Sequence, residues 1–168
     1  TLKVRDCGLT NSDIRPLFTL LSAAGNVKEL GLDSNNLHRL QPINITPIPS
    51  LQILKLQECG LTTSDIEPLF TLLSAAGNVK ELTLVKNNLH GLQPININPV
   101  PSLQTLKLKE CGLTTSDIVP LFFFLYEAGY VQELHLVDNN LQELQPIRIS
   151  PVPSLQTLIL EKCNLTSS

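Results

Sequence analysis

Methionine and tryptophan are missing altogether, and tyrosine occurs only at Tyr126 and Tyr130. A chain without Met is expected to be a mature piece or a fragment of a longer one. Charged residues are scarce at 16%, and their balance of −3 is too small to draw a nucleic-acid backbone. No apolar run reaches the roughly 20 residues that cross a bilayer, so neither nucleic acid nor membrane is an expected partner. No Cys-x-x-Cys pair occurs, and no His sits in register beside a Cys, so no metal site is expected. A glycine-rich phosphate loop is lacking, as is any Ser/His/Asp or paired-carboxylate set that stands apart from the general pattern of the chain. No catalytic residue and no cofactor are expected, and the chain reads as non-enzymatic. What is present is apolar: 42% hydrophobic residues, enough for a continuous core and too many for a disordered tail. A length of 168 residues predicts a single domain, 1–168.

The stretch Leu54 to Thr105 occurs nearly whole before itself, as Leu2 to Ile53, and after itself, as Leu106 to Thr157. A partial copy runs from Leu158 to Ser168. Cys7, Cys59, Cys111 and Cys163 mark the 52-residue period. The double repeats are therefore 2–53, 54–105 and 106–157, with 158–168 incomplete, and a fixed period of this size means stacked repeats.

Each unit holds a shorter motif twice. Val27-Lys-Glu-Leu30-Gly-Leu32-Asp-Ser-Asn35-Asn-Leu37 has the form LxxLxLxxNxL, and Leu51 to Leu61 has the same form with Cys59 in place of Asn. The same start recurs at Val79, Leu103, Val131 and Leu155. This is the leucine-rich-repeat signature, and it covers essentially the whole chain. The spacing alternates, 24 residues from Val27 to Leu51 and 28 from Leu51 to Val79, so each unit is a short coil and a long coil.

In Leu30-x-Leu32 and Leu54-x-Leu56 a period of two turns the Leu side chains inward. A single strand of this length cannot bury its apolar face, but parallel neighbours can. Asn35, Asn87 and Asn139 fall where the chain leaves the strand, where a buried amide can satisfy loop backbone groups. In the long coil, Ile66, Leu69, Phe70 and Leu73 form one inward helical stripe that Gly77 ends. Ser64 reads as the cap and Glu67 as the residue closing a capping box, in the second copy only, since Arg15 and Val119 replace Glu67 elsewhere. In the short coil, Pro94, Pro99 and Pro101 exclude a helix and predict an extended return with Ile95, Ile97 and Val100 inward. The expected fold is an α/β leucine-rich-repeat solenoid, a horseshoe. Its concave side is one parallel sheet of six to seven strands, and its convex side alternates helix and extended Pro-rich segment.

Successive cysteines lie two coils apart, about 9.5 Å at the usual strand spacing, too far for a disulfide. They read as buried free thiols, which suit a reducing compartment and hence the cytoplasm. The long coil, LxLxxCGLT followed by SDIxPLFxLL, resembles the ribonuclease-inhibitor type of leucine-rich repeat, which also forms the sensor region of NOD-like receptors. The resemblance implies protein binding on the concave face and rims, and buried turn positions for the four cysteines. The short Pro-rich coil departs from the inhibitor pattern of two helical coils, so ribonuclease binding is not carried over.

The copies differ chiefly at outward strand positions. Gly31, Thr83 and His135 align, as do Asp33, Val85 and Val137, and Ser34, Lys86 and Asp138. In the long coils Arg5, Gln57, Lys109 and Glu161 align, and so do Asp6, Glu58, Glu110 and Lys162. Variation on the solvent face of a rigid sheet fits a surface whose specificity is set by substitution. The concave-face candidates are Arg5, Asp33, Ser34, Gln57, Glu58, Thr83, Val85, Lys86, Lys109, Glu110, His135, Val137 and Asp138. In the third copy Val119, Phe123, Tyr126 and Tyr130 replace polar residues along one helix face, a candidate docking patch. His38 and His90 share one turn position, with Gln142 in the third copy, and Asn44-Ile-Thr46 and Asn164-Leu-Thr166 match the glycosylation sequon. Neither end carries a polar capping repeat, so self-association through open ends is possible. The main reading is a protein-binding module, a sensor or inhibitor region of a larger protein. The alternative is a structural or designed repeat unit that stacks end to end into a ring or filament.

Overall fold

The computed structural model describes residues 1–142, residue 149 and residues 151–165. Most of the third Pro-rich return, and Thr166 of the second sequon, lie outside the described residues. The seven strands are β1 (Leu2–Lys3), β2 (Glu29–Gly31), β3 (Ile53–Lys55), β4 (Glu81–Thr83), β5 (Thr105–Lys107), β6 (Glu133–His135) and β7 (Thr157–Ile159). They form one parallel sheet in chain order. The leucines stand in register, Leu2 beside Leu30, then Leu54, Leu82, Leu106, Leu134 and Leu158. Leu30, Leu54, Leu82, Leu106 and Leu134 are all but fully buried. Each such side chain contributes about 1.5–3 kcal/mol, so one Leu row across successive strands holds the array together.

The three helices are α1 (Asn11–Ala24), α2 (Ile66–Ala76) and α3 (Ile118–Ala128). The expected stripe is inward: Ile66, Leu69, Phe70 and Leu73 are buried, and so are Ile118, Leu121, Phe122 and Leu125. Phe124 of α3 meets Phe70 of α2 edge to face, with ring centroids 4.5 Å apart. Gly25, Gly77 and Gly129 end the helices in the left-handed region. Among the described residues no helix is long and apolar enough to cross a membrane.

The helix start differs from expectation. The cap is Thr62 rather than Ser64, and Asp65 rather than Glu67 closes the box. Thr10 with Asp13 and Thr114 with Asp117 do the same, so the box closes in all three copies. Thr62 N–H and Oγ1 donate to Asp65 Oδ2 at 2.8 and 2.9 Å. In the second and third copies a 3-10 turn, Thr63–Asp65 or Thr115–Asp117, precedes the α-helix. The physical reason is that this carboxylate has a second task. Asp65 Oδ1 accepts the N–H of Leu40 at 2.7 Å, and Asp117 Oδ1 those of Gly91 and Leu92 at 2.8 and 2.9 Å. An Asp here satisfies orphan donors of two coils at once, which an outward Glu67 cannot do.

The short coils hold no helix among the described residues. Their apolar residues turn inward as expected, with Ile97 and Val100 buried and Ile95 half-buried.

Asn and Cys build a spine from coil to coil. Asn87 Oδ1 accepts the N–H groups of Cys59 and Leu61 at 3.2 and 3.0 Å, and its Nδ2 donates to Leu56 O at 2.7 Å. Asn35 and Asn139 repeat the arrangement. The thiol supplies only the donor half. Cys59, Cys111 and Cys163 donate to Leu32, Leu84 and Leu136 O in the preceding coil. Lacking a side-chain acceptor in the next coil, Leu37 and Leu89 N–H donate instead to the carbonyls of Cys59 and Cys111.

All four cysteines are free, and three are buried. Burial pushes the thiols up, Cys59 to about 11 and Cys111 to about 12. Cys7 departs from the expectation of burial. Its coil carries β1, the edge of the sheet, with β2 alone beside it among the described residues, so Cys7 is exposed and its thiol turns to its own Arg5 O.

Candidate functional site

Residues two apart along a strand share a face, so the side opposite the leucine row carries three parallel ladders of side chains, and a fourth follows at the left-handed turn just after each strand. The first runs Glu29, Ile53, Glu81, Thr105, Glu133 and Thr157, and the second Lys3, Gly31, Lys55, Thr83, Lys107, His135 and Ile159. The third is Arg5, Asp33, Gln57, Val85, Lys109, Val137 and Glu161, and the fourth Asp6, Ser34, Glu58, Lys86, Glu110, Asp138 and Lys162.

The first two ladders pair with each other. Lys55 Nζ lies 2.7 Å from Glu29 Oε1, and Lys107 Nζ lies 2.7 Å from Glu81 Oε1. The hydrogen bond from Lys55 holds the Glu29 carboxyl below its ordinary range, and the same bond raises Lys55. In the third copy His135 takes the lysine's role within its own strand, with Nε2 2.6 Å from Glu133 Oε1. Thr83 and Gly31 do not face open solvent as expected; both are buried. Lys55 and Lys107 flank Thr83 in register, and long aliphatic stems cover a small residue between them.

Reading the differences between copies passes over Glu29 and Glu81, which align with Glu133, and over Lys55 and Lys107, which align with Lys3 and give way only to Ile159 in the partial copy. The available signal was the alternation itself: Glu29 and Lys55 flank inward leucines and so must face outward.

The third and fourth ladders hold the variable candidates. Arg5 is exposed, and Asp33, Gln57, Val85, Lys109 and Val137 are half-buried. Asp33 is committed in part, since its Oδ1 accepts the N–H of Gln57 at 3.1 Å. On the fourth ladder Glu58 and Lys86 are exposed, and Ser34, Glu110 and Asp138 half-buried. Lys86 Nζ pairs with Glu58 Oε1 at 3.0 Å. Lys109 Nζ stands between Glu110 and Asp138 at 3.5 and 3.4 Å.

All seven fourth-ladder residues have left-handed backbone, with φ from 50° at Asp6 to 56° at Ser34 and Asp138. A non-glycine residue there is strained by about 1 kcal/mol. Two residues further on the long coils use Gly8, Gly60 and Gly112 at φ 68–69°. Side chains are thus retained at a turn position that glycine would relax, while glycine serves its neighbour.

The expected exposure of the four candidate docking residues is found at three of them. Val119, Tyr126 and Tyr130 are 42%, 52% and 49% exposed. Phe123 departs from it, being half-buried. His90 Nδ1 lies 3.3 Å from the buried Asp117 Oδ2, and His38 Nδ1 lies 3.9 Å from Asp65 Oδ2. Among the described residues no group of three or more His, Cys, Asp or Glu side chains is placed to hold a metal ion.

No family model matches the chain. Curated relatives do. Ribonuclease inhibitor of Sus scrofa is 31% identical over 183 residues, covering 100% of this chain and 40% of the relative. Ribonuclease inhibitor of Mus musculus is 30% identical over 185 residues, with 99% and 40% covered. NACHT, LRR and PYD domains-containing protein 5 of Homo sapiens is 28% identical over 187 residues, 100% of this chain and 15% of that protein. The chain thus spans 40% of the length of the inhibitors it matches. Its repeat motif, its parallel sheet of register-matched leucines and these relatives agree: the chain is a leucine-rich-repeat protein, similar to ribonuclease inhibitor and to the NACHT, LRR and PYD proteins.

Proposed function

We propose that the chain is a non-enzymatic protein-binding module that reads its partner with the outer face of the sheet. The observation that supports this is the fourth ladder, seven non-glycine side chains held in strained backbone at the exit of every strand. Strain of this kind persists where a side chain is needed in place. The face mixes both signs of charge with Val85 and Val137, which suits a protein surface rather than a phosphate backbone. The repeats 2–53, 54–105 and 106–157 act as one domain, a sensor or inhibitor region of a larger protein. The names of the relatives, an inhibitor and multidomain NACHT proteins, support that reading. Buried, unpaired thiols support a cytoplasmic setting. A second contact, for a neighbouring domain, falls on the exposed Val119, Tyr126 and Tyr130 of α3.

The test is a photo-crosslinking residue placed singly at Val85, on the strand face, and at Glu67, on the outer side of α2. Adducts to a protein partner are expected from position 85. Adducts from position 67 alone would place the contact on the helical side and defeat the proposal.

A further inference from the structure

Two clefts lie at the strand exits, one repeat apart. The first, of 450 Å³, is lined by Lys86, Glu110 and Asn88, among others. The second, of 410 Å³, is lined by Asp138, Lys162, Asn140 and Asn164, among others. The frames correspond by the 52-residue repeat, with Asn164 in the second where the first has Gly112, and the charges are reversed: Lys86 becomes Asp138, and Glu110 becomes Lys162. Along four consecutive coils the fourth ladder therefore reads plus, minus, minus, plus.

We propose that this stretch of the ladder recognises an extended segment of the protein partner whose charges run acid, base, base, acid. The inference rests on the proposed strand-face binding and names the partner's chemistry. Four coils span three strand spacings of about 4.8 Å, roughly 14 Å, and an extended chain rises about 3.3 Å per residue. Side chains on one face of an extended chain recur every second residue, so four charges facing the ladder occupy about seven residues, and their long side chains converge on the row. Its basic centre meets Glu110 and Asp138, which share the single cation Lys109. Its acidic flanks meet Lys86 and Lys162. Asn88 and Asn140 are exposed; their Oδ1 atoms accept from His90 N–H and Asn164 Nδ2, so each offers its amide N–H groups to the segment's backbone carbonyls. The sign pattern is the same read in either direction, so the ladder selects composition and spacing and leaves chain direction to other contacts. Lys86 is the weaker of the two cations for this purpose, since Glu58 already pairs with it.

The test uses three labelled synthetic peptides against the intact chain: acidic flanks around a basic centre, the same composition scrambled, and the charge-inverted sequence. Fluorescence anisotropy at low salt is expected to rank the first peptide about tenfold tighter than the other two, the sum of several exposed pairs. The quadruple variant Lys86→Glu, Glu110→Lys, Asp138→Lys, Lys162→Glu is expected to invert the preference toward the third peptide. The milder Glu110→Gln with Asp138→Asn, which keeps side-chain size, is expected to abolish the preference if the quadruple variant does not fold. Equal or unmeasurable binding of the three peptides, or a preference unmoved by both variants, would overturn the inference. Crosslinks from position 85 together with no peptide preference would reject this ladder code alone. Crosslinks confined to position 67 would reject the binding face itself.

Discussion

Asp117 Oδ1 accepts the backbone N–H of Leu92 at 2.9 Å, tying the first turn of one coil's helix to the strand exit of the coil before. The same carboxylate holds the N–H and hydroxyl of Thr114 through Oδ2. Removing it strands buried donors on both coils. Asp117→Ala is expected to cost about 3 kcal/mol, read as a shift in the urea midpoint at constant slope. Asp13 closes the same box on the first coil, with no coil of this chain before it, and Asp13→Ala is expected to cost clearly less. Equal losses would show that the inter-coil bonds add nothing.

The thiols should divide sharply. Cys7 is exposed, and Cys59 and Cys111 are buried and donate to Leu32 O and Leu84 O. A thiol reagent under native conditions is expected to modify Cys7 fast and to leave Cys59 and Cys111 untouched until the chain unfolds. Rapid modification of all four would contradict the stacked arrangement.

Stability should fall at both ends of the pH scale. Burial alone would push the Asp117 carboxyl up, but the hydrogen bonds from Thr114, Leu92 and Gly91 outweigh it and hold it below its ordinary 3.8. A lowered native value stabilises above the unfolded value and is lost as pH drops below about 4. Cys59 and Cys111 have raised native values, about 11 and 12 against an ordinary 9.0. Their contribution is full below about pH 9 and declines as pH rises toward those values. Urea midpoints are expected to be flat between about pH 5 and 8, with Cys59→Ala flattening the alkaline limb. An alkaline limb unchanged by Cys59→Ala and Cys111→Ala together would contradict this assignment.

On α3 two aromatic positions should behave oppositely. Phe124 is buried against Phe70, so Phe124→Ala is expected to cost about 3–5 kcal/mol. Tyr126 is half in solvent, and Tyr126→Ser is expected to change stability by less than about 0.5 kcal/mol while weakening docking of a neighbouring domain. A large stability loss at Tyr126 would mean that the residue is packed within this chain, not presented to another.

The inward half of the molecule was legible because a period of two, a Leu row and an Asn or Cys turn leave a short strand only one way to be buried. The helix cap was misread for a specific reason. Ser64-x-x-Glu67 and Thr62-x-x-Asp65 both satisfy the capping-box spacing, and local pattern cannot choose between them. Recurrence could have: Thr-x-x-Asp stands in all three copies and Glu67 in one. The outward half was read from differences, which finds Val85 or Lys86 but passes over the Lys55–Glu29 pair, repeated as Lys107–Glu81. Burial of Thr83 depends on long side chains from both neighbouring strands, and that information lies in register rather than in local sequence.

The account stands or falls on which side of the array meets its partner. Photo-crosslinking from Val85 and from Glu67, in an extract of the cells that make the protein, measures that directly. The expected result is a discrete protein adduct from position 85 that Lys86→Glu diminishes. An adduct from position 67 with none from position 85 would contradict it.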